Sequence, residues 1–196
     1  MRRIFLFPLL MNMVFAQGLL PGAFKMSAAA EFDTSAYKGL KSNMISDIVP
    51  QADTLLWMGT GAGLAVLRDT TSIFTITANA DAAAGQLTNQ TPIGGVTALT
   101  ASNKILFAAF AKSGEEITIG NGLIYSTDAT GNDITWTYFD QPVDTEADSL
   151  APFAKRFFKG LPITVKEANV TYDAAISGNY IWITSWAGGL RRYNIS

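Results

Sequence analysis

A strand–turn–strand unit punctuated by glycine occurs three times in this chain. The first copy runs from Ile45 to Asp69, ISDIVPQADTLLWMGTGAGLAVLRD. The second opens at Val96 as VTALTASNKILFAAF and resumes as GLIYST from Gly122 to Thr127. The third, VTYDAAISGNYIWITSWAGGLRRYN, runs from Val170 to Asn194. Each copy has a short alternating strand, a polar turn, and an apolar strand centred on Trp57, Phe107 or Trp182. A Gly-rich turn follows, then a strand opening with Gly-Leu: Gly63-Leu64, Gly122-Leu123 and Gly189-Leu190. Self-similarity at this spacing implies stacked equivalent units, none of which buries its apolar face alone.

Short runs rich in Ile, Val, Thr, Trp and Tyr, separated by Gly, Asn and Asp, form strands joined by hairpins. Gly59, Gly61, Gly63, Gly188 and Gly189 supply positive φ or close backbone approach in those hairpins. A fourth strand is visible twice, in SIFTIT (Ser72–Thr77) and ITWTYF (Ile134–Phe139). The expected unit is a four-stranded antiparallel meander, the blade of a β-propeller. The expected fold class is therefore all-β: a partial β-propeller of two blades plus most of a third. The blades fall at about 43–78, 92–140 and 169–196. Insertions fall at about Lys112 to Asn121 and at 141–168. In the latter, SLAPFAKRFFKG from Ser149 places Phe157 four residues after Phe153 and ends on Gly160. That pattern fits a short helix or a loop pinned by aromatics.

The segment NMISDIVPQADTLLWMGTGAGLAVLRD resembles the repeat of two-component-regulator propellers, roughly N-x-I-x-x-I followed by L-W-[IV]-G-T-x-x-G-L. The matching residues are Asn43, Ile45, Ile48, Leu56, Trp57, Met58, Gly59, Thr60, Gly63 and Leu64. The third copy departs at Thr184 and Ser185, where the pattern has Gly-Thr. STDATGNDITW is similar to the Asp-box of sialidase-like propellers, S-x-D-x-G-x-T-W, through Ser126, Asp128, Gly131, Thr135 and Trp136. Three extra residues separate its aspartate half from Thr-Trp. The resemblance implies a propeller and carries over no catalytic residue; Asp and Ser of such a box bond turn backbone. Propellers close a ring of typically 4–8 blades, and the third copy stops before a fourth strand. The expectation is the N-terminal part of a longer protein. The alternative is a ring closed between chains by heterologous contacts. An open array exposes blade edges and favours self-association.

Met1 to Ala16, MRRIFLFPLLMNMVFA, has the form of a signal peptide. Arg2 and Arg3 precede a twelve-residue apolar stretch, and Val14 and Ala16 fit the small-residue cleavage positions. The run is shorter than the roughly 20 residues of a spanning helix. Residues 17–42 form a lead-in, and no later segment is long and apolar enough to span a membrane. The expected destination is outside the cytoplasm. Asn89, Asn169 and Asn194 each open an N-x-[ST] sequon.

The chain has no His and no Cys. That removes Ser–His–Asp and Cys–His catalysis, imidazole or thiolate zinc sites, redox pairs and disulfides. A net charge of −2 supplies no basic footprint for nucleic acid. No cofactor is implied. A phosphate-binding reading of GTGAG (Gly59–Gly63) lacks the P-loop lysine and the following helix. Glu115 and Glu116 read as a solvated loop. The acidic stretch Asp140, Asp144, Glu146 and Asp148 lacks the glycine and distal Glu of a calcium loop. A sialidase site would need an arginine cluster, but beyond the signal only Arg68, Arg156, Arg191 and Arg192 remain. On one strand Arg191 and Arg192 point to opposite faces. The candidate binding residues are Trp186, in the turn WAGG, and Arg191: a Trp at the rim beside Arg191 stacks a sugar or anchors a peptide, or it packs on a neighbouring blade.

Three functions fit. The first is an exported non-enzymatic binding or scaffold module for a protein or carbohydrate. The second is a carbohydrate-active hydrolase or lyase with its site in further blades. The third is the periplasmic sensor of a hybrid kinase. The first is the reading adopted from sequence.

Overall fold

Alternating apolar and polar residues, broken every few positions by Gly, Asn or Asp, build three antiparallel sheets among the described residues. The computed structural model describes residues 39–68, 72–115, 117–144, 169–185 and 188–196, together with Phe153 and the backbone of Lys155–Arg156. The expected signal peptide, Trp186 and most of the 141–168 insertion lie outside the described residues. Among the described residues there is no helix.

Strands β1 (Ile45–Gln51), β2 (Leu55–Thr60), β3 (Gly63–Arg68) and β4 (Ser72–Thr75) form the first sheet, a meander in that order. Three short strands follow: β5 (Thr77–Asn79), β6 (Gly85–Thr88) and β7 (Gln90–Pro92), with β5 and β7 paired in parallel. Strands β8 (Gly95–Ser102), β9 (Ile105–Ser113), β10 (Thr118–Ser126) and β11 (Thr135–Phe139) form the second meander. β6 adds to its far edge, giving five strands in the order β6-β11-β10-β9-β8. The third sheet takes β12 (Lys155–Arg156), β13 (Thr171–Ser177), β14 (Tyr180–Ser185) and β15 (Gly189–Asn194), ordered β12-β15-β14-β13.

The strands at SIFTIT and ITWTYF form, as β4 and β11. The expected insertion at Lys112 to Asn121 is a lengthening of the β9–β10 hairpin, whose strands have nine residues each. Two expectations are corrected. The third copy does have a fourth strand, because β12 turns back from the insertion and pairs Lys155 with Arg192 and Arg156 with Arg191. The described part of SLAPFAKRFFKG is therefore strand at these two residues, not helix. GTGAG is the β2–β3 hairpin, with Thr60 opposite Gly63 and a strand following it. Gly63 sits at φ +118° and its counterpart Gly189 at +65°, the left-handed backbone those turns require.

The three sheets share one register. Val49 faces Trp57, Thr100 faces Phe107, and Ala175 faces Trp182. Each first strand carries a bulge at the same place: between Ile45 and Asp47, Val96 and Ala98, and Thr171 and Asp173. β8 packs against β1 on one side and β13 on the other, so the three bulged strands stand side by side.

Period-2 alternation divides the second sheet between two cores. Leu106, Ala108, Phe110, Ile124, Trp136 and Tyr138 pack with Leu55, Trp57, Leu64 and Val66 of the first sheet. Phe107, Ala109 and Leu123 turn the other way and pack with Phe153, Ile181 and Ile183. From Ile105 to Ala111 β9 is an unbroken apolar run because it is buried on both faces there.

Candidate functional site

Polar groups cross both seams between sheets. At the first seam the buried Trp57 Nε1 donates to Gln51 Oε1 at 2.8 Å, and Gln51 Nε2 donates to the Ile105 carbonyl at 2.9 Å. The bulge residue Ser46 donates to the Val96 carbonyl at 2.7 Å. Arg68 reaches across from β3 to the Thr130 and Gly131 carbonyls at 3.3 and 2.7 Å. It thereby clasps the β10–β11 loop. Inside that loop Ser126 Oγ accepts from the Asp128 backbone at 3.2 Å, and Asp128 accepts from Thr130 Oγ1 at 3.2 Å. Asn89 closes the loop, accepting from the Ile134 N–H at 2.7 Å and donating to Asp133 at 3.0 Å.

The second seam holds Arg191. Its side chain shares a face with Ile183 and is fully buried, with Nη2 2.6 Å from Asp144 Oδ1 and Nη1 donating to the Phe153 carbonyl at 3.4 Å. Of the two residues expected to grip a ligand, Arg191 is thus engaged inside the seam, and Trp186 lies outside the described residues. Beside it Gln141 Nε2 donates to the Asn169 carbonyl, and Asn169 Nδ2 donates to the Pro142 carbonyl at 2.7 Å. These bonds fasten the segment after β11 onto the third sheet. Asn169 is fully buried. Arg192 takes the opposite face, its guanidinium 4.5 Å from the Tyr180 ring centre and 5.4 Å from that of Trp182.

Two clefts open at opposite ends of the sheets. One, of 180 Å³, is lined by Lys112, Asn121, Tyr138, Asp140 and Gln141, with Gly120 and Gly122 in its wall. The other, of 520 Å³, lies among the β1–β2 and β8–β9 turns and includes Gln51, Asn103, Lys104 and Thr130. Tyr138 donates to the Asn121 carbonyl at 3.4 Å. Burial, and then the nearby Asp140 carboxylate, push its phenol above the ordinary 10.0. The phenol therefore stays protonated and acts as a hydrogen-bond donor. Tyr193 is also raised, by burial and by its hydrogen bond and charge interaction with Tyr125. Among the described residues no three acidic side chains converge as a metal site.

The two phenols fix an alkaline limit on stability. Both hold their protons more tightly when folded than when unfolded, where the value is near 10.0. Their contribution is fully present below that pH and is lost as pH rises through the folded-state values, because the unfolded chain ionises first. Urea midpoints measured upward from pH 10.0 are expected to fall less steeply in Tyr138→Phe and Tyr193→Phe than in the unsubstituted chain. Equal slopes in all three proteins would show that these phenols ionise as freely folded as unfolded.

Compared with protein-family models, with curated proteins and with solved structures, the chain matches none. Sequence reasoning missed the Gln141–Asn169 bonds, the Arg191–Asp144 pair and the Tyr138 cleft. The acidic residues Asp140 and Asp144 drew attention as a candidate cation loop, but β11 and the sheet seam send them to different surroundings.

Proposed function

We propose that the three sheets are successive blades of an exported, propeller-type array that works as a non-enzymatic binding or scaffold module for a protein or carbohydrate ligand. The observation carrying this reading is the dispersal of the arginines. Glycosidase chemistry of the sialidase kind gathers arginines around one carboxylate. Of the arginines whose side chains are described, Arg68 clasps a loop at the first seam, Arg191 is buried at the second, and Arg192 lies across rings on the opposite face. The small cleft complements that dispersal. Amides, a protonated phenol, an ammonium and a carboxylate offer hydrogen bonds to a polar group without a poised nucleophile. Export is supported by the Met1–Ala16 pattern, and the propeller by the shared register and the side-by-side bulged strands.

Glycan and peptide arrays, run beside fluorogenic glycosides that include sialosides, test the reading. The full chain is expected to be retained on an array and to release no fluorophore. Glycoside turnover that copurifies with the chain would assign it to the hydrolases. Failure to be retained on either array would overturn the binding role.

A further inference from the structure

Two phenols meet across the second seam. Tyr125 lies on β10 opposite Phe107, and its side chain packs on the core shared with the third sheet. Tyr193 lies on β15 opposite Ile181 and packs on the same core from the third sheet's side. Their ring centres are 5.7 Å apart, the ring planes are inclined by 55°, and the two side chains share a hydrogen bond. Phe139 stands 5.7 Å from the first ring and 5.1 Å from the second, and Phe153 stands 5.3 Å from the second. Those neighbours limit how far either ring can turn. Both tyrosines are half-buried, so each keeps an edge within reach of a small solute. The chain has no Cys, so no thiol competes for an oxidant and no disulfide ties the sheets together.

We infer that Tyr125 and Tyr193 form a site of oxidative cross-linking, at which a dityrosine bond staples the second sheet to the third. The co-reactant is a one-electron oxidant of the peroxyl-radical or haem-peroxidase class, used twice. Each phenol gives one electron to the oxidant and its hydroxyl proton to water. The two phenoxyl radicals then pair through their ortho carbons, forming one C–C bond. Each of those carbons releases its hydrogen as a proton and each oxygen regains one, which restores both aromatic rings. Two electrons and two protons leave in all. Ortho carbons flank the hydroxyls, so phenols already joined by a hydrogen bond hold those carbons near one another. Coupling is then a step within one molecule, which outruns encounter between chains.

The test photo-oxidises the full chain, kept dilute, with tris(bipyridyl)ruthenium(II) and persulfate. Mass spectrometry under denaturing conditions should find a single chain lighter by two hydrogens, with blue dityrosine fluorescence. Digestion should yield one joined pair of peptides, carrying Tyr125 and Tyr193. Tyr125→Phe and Tyr193→Phe should each cut the fluorescence by roughly tenfold, whereas Tyr180→Phe should leave it unchanged. The urea midpoint should rise on oxidation of the unsubstituted chain and not on oxidation of Tyr193→Phe. Coupling confined to linked pairs of chains, coupling through other tyrosines, or no dityrosine at all would overturn the site. A midpoint that does not rise would overturn the staple. The cross-link is mapped in the unsubstituted chain, so the result stands whether or not a variant folds.

Discussion

Replacing Trp57 by alanine is expected to destabilise the chain by about 3–5 kcal/mol. The indole is fully buried, meets Trp136 edge-to-face with ring centres 6.1 Å apart, and fills the seam between the first two sheets. Truncation removes its apolar area, leaves a cavity that two stiff sheets close poorly, and strips Gln51 Oε1 of its donor. At roughly 2–4 °C per kcal/mol for a chain of this size, the melting temperature falls by about 6–20 °C. Trp57→Phe keeps a ring but loses the Nε1 donor, so it should lose about 1–3 kcal/mol. Urea unfolding followed by circular dichroism measures both. A loss below about 1 kcal/mol for Trp57→Ala would mean that the seam is held by something other than this indole.

Asp144→Ala is the second large change, at about 3–5 kcal/mol. The Arg191 guanidinium is fully buried and Asp144 is its carboxylate partner at 2.6 Å. Removing the carboxylate leaves a buried cation, with the Phe153 carbonyl at 3.4 Å as its weaker contact. The penalty is mostly that of an uncompensated charge, so deleting the charge should undo it. Asp144→Ala combined with Arg191→Met is expected to recover about 1–4 kcal/mol of the loss. A double-mutant cycle on urea midpoints decides the matter. Purely additive effects would show that the two groups are not energetically paired.

The strands were legible because a half-buried strand writes its period of two into the sequence, and because glycine marks the turns. The alignment of Trp57, Phe107 and Trp182 is the true register: each occupies the same rung of its sheet. What the pattern did not carry was any pairing between distant segments. β6 (Gly85–Thr88) and β12 (Lys155–Arg156) are short, polar runs, and only the partner strand makes them strands. Arg191 illustrates the same limit. Its strand position predicted a face opposite to Arg192, which the structure has, but not that Asp144, 47 residues away, would bury the charge. The Tyr138 cleft was invisible for a like reason, since Lys112, Asn121 and Gln141 converge only after β9, β10 and β11 pair.

The edge strands set a timetable for the growing chain. β6 precedes its own sheet in sequence and pairs only with that sheet's last strand, Thr88 lying opposite Thr135. At about 5–20 residues per second of synthesis, the 46 residues between them keep β6 waiting for about 2–9 s. β12 waits in the same way for β15. The second and third sheets are therefore each sealed from both ends of their own segment. A nascent chain halted before β11 or before β15 holds β6 or β12 without the strand it pairs with.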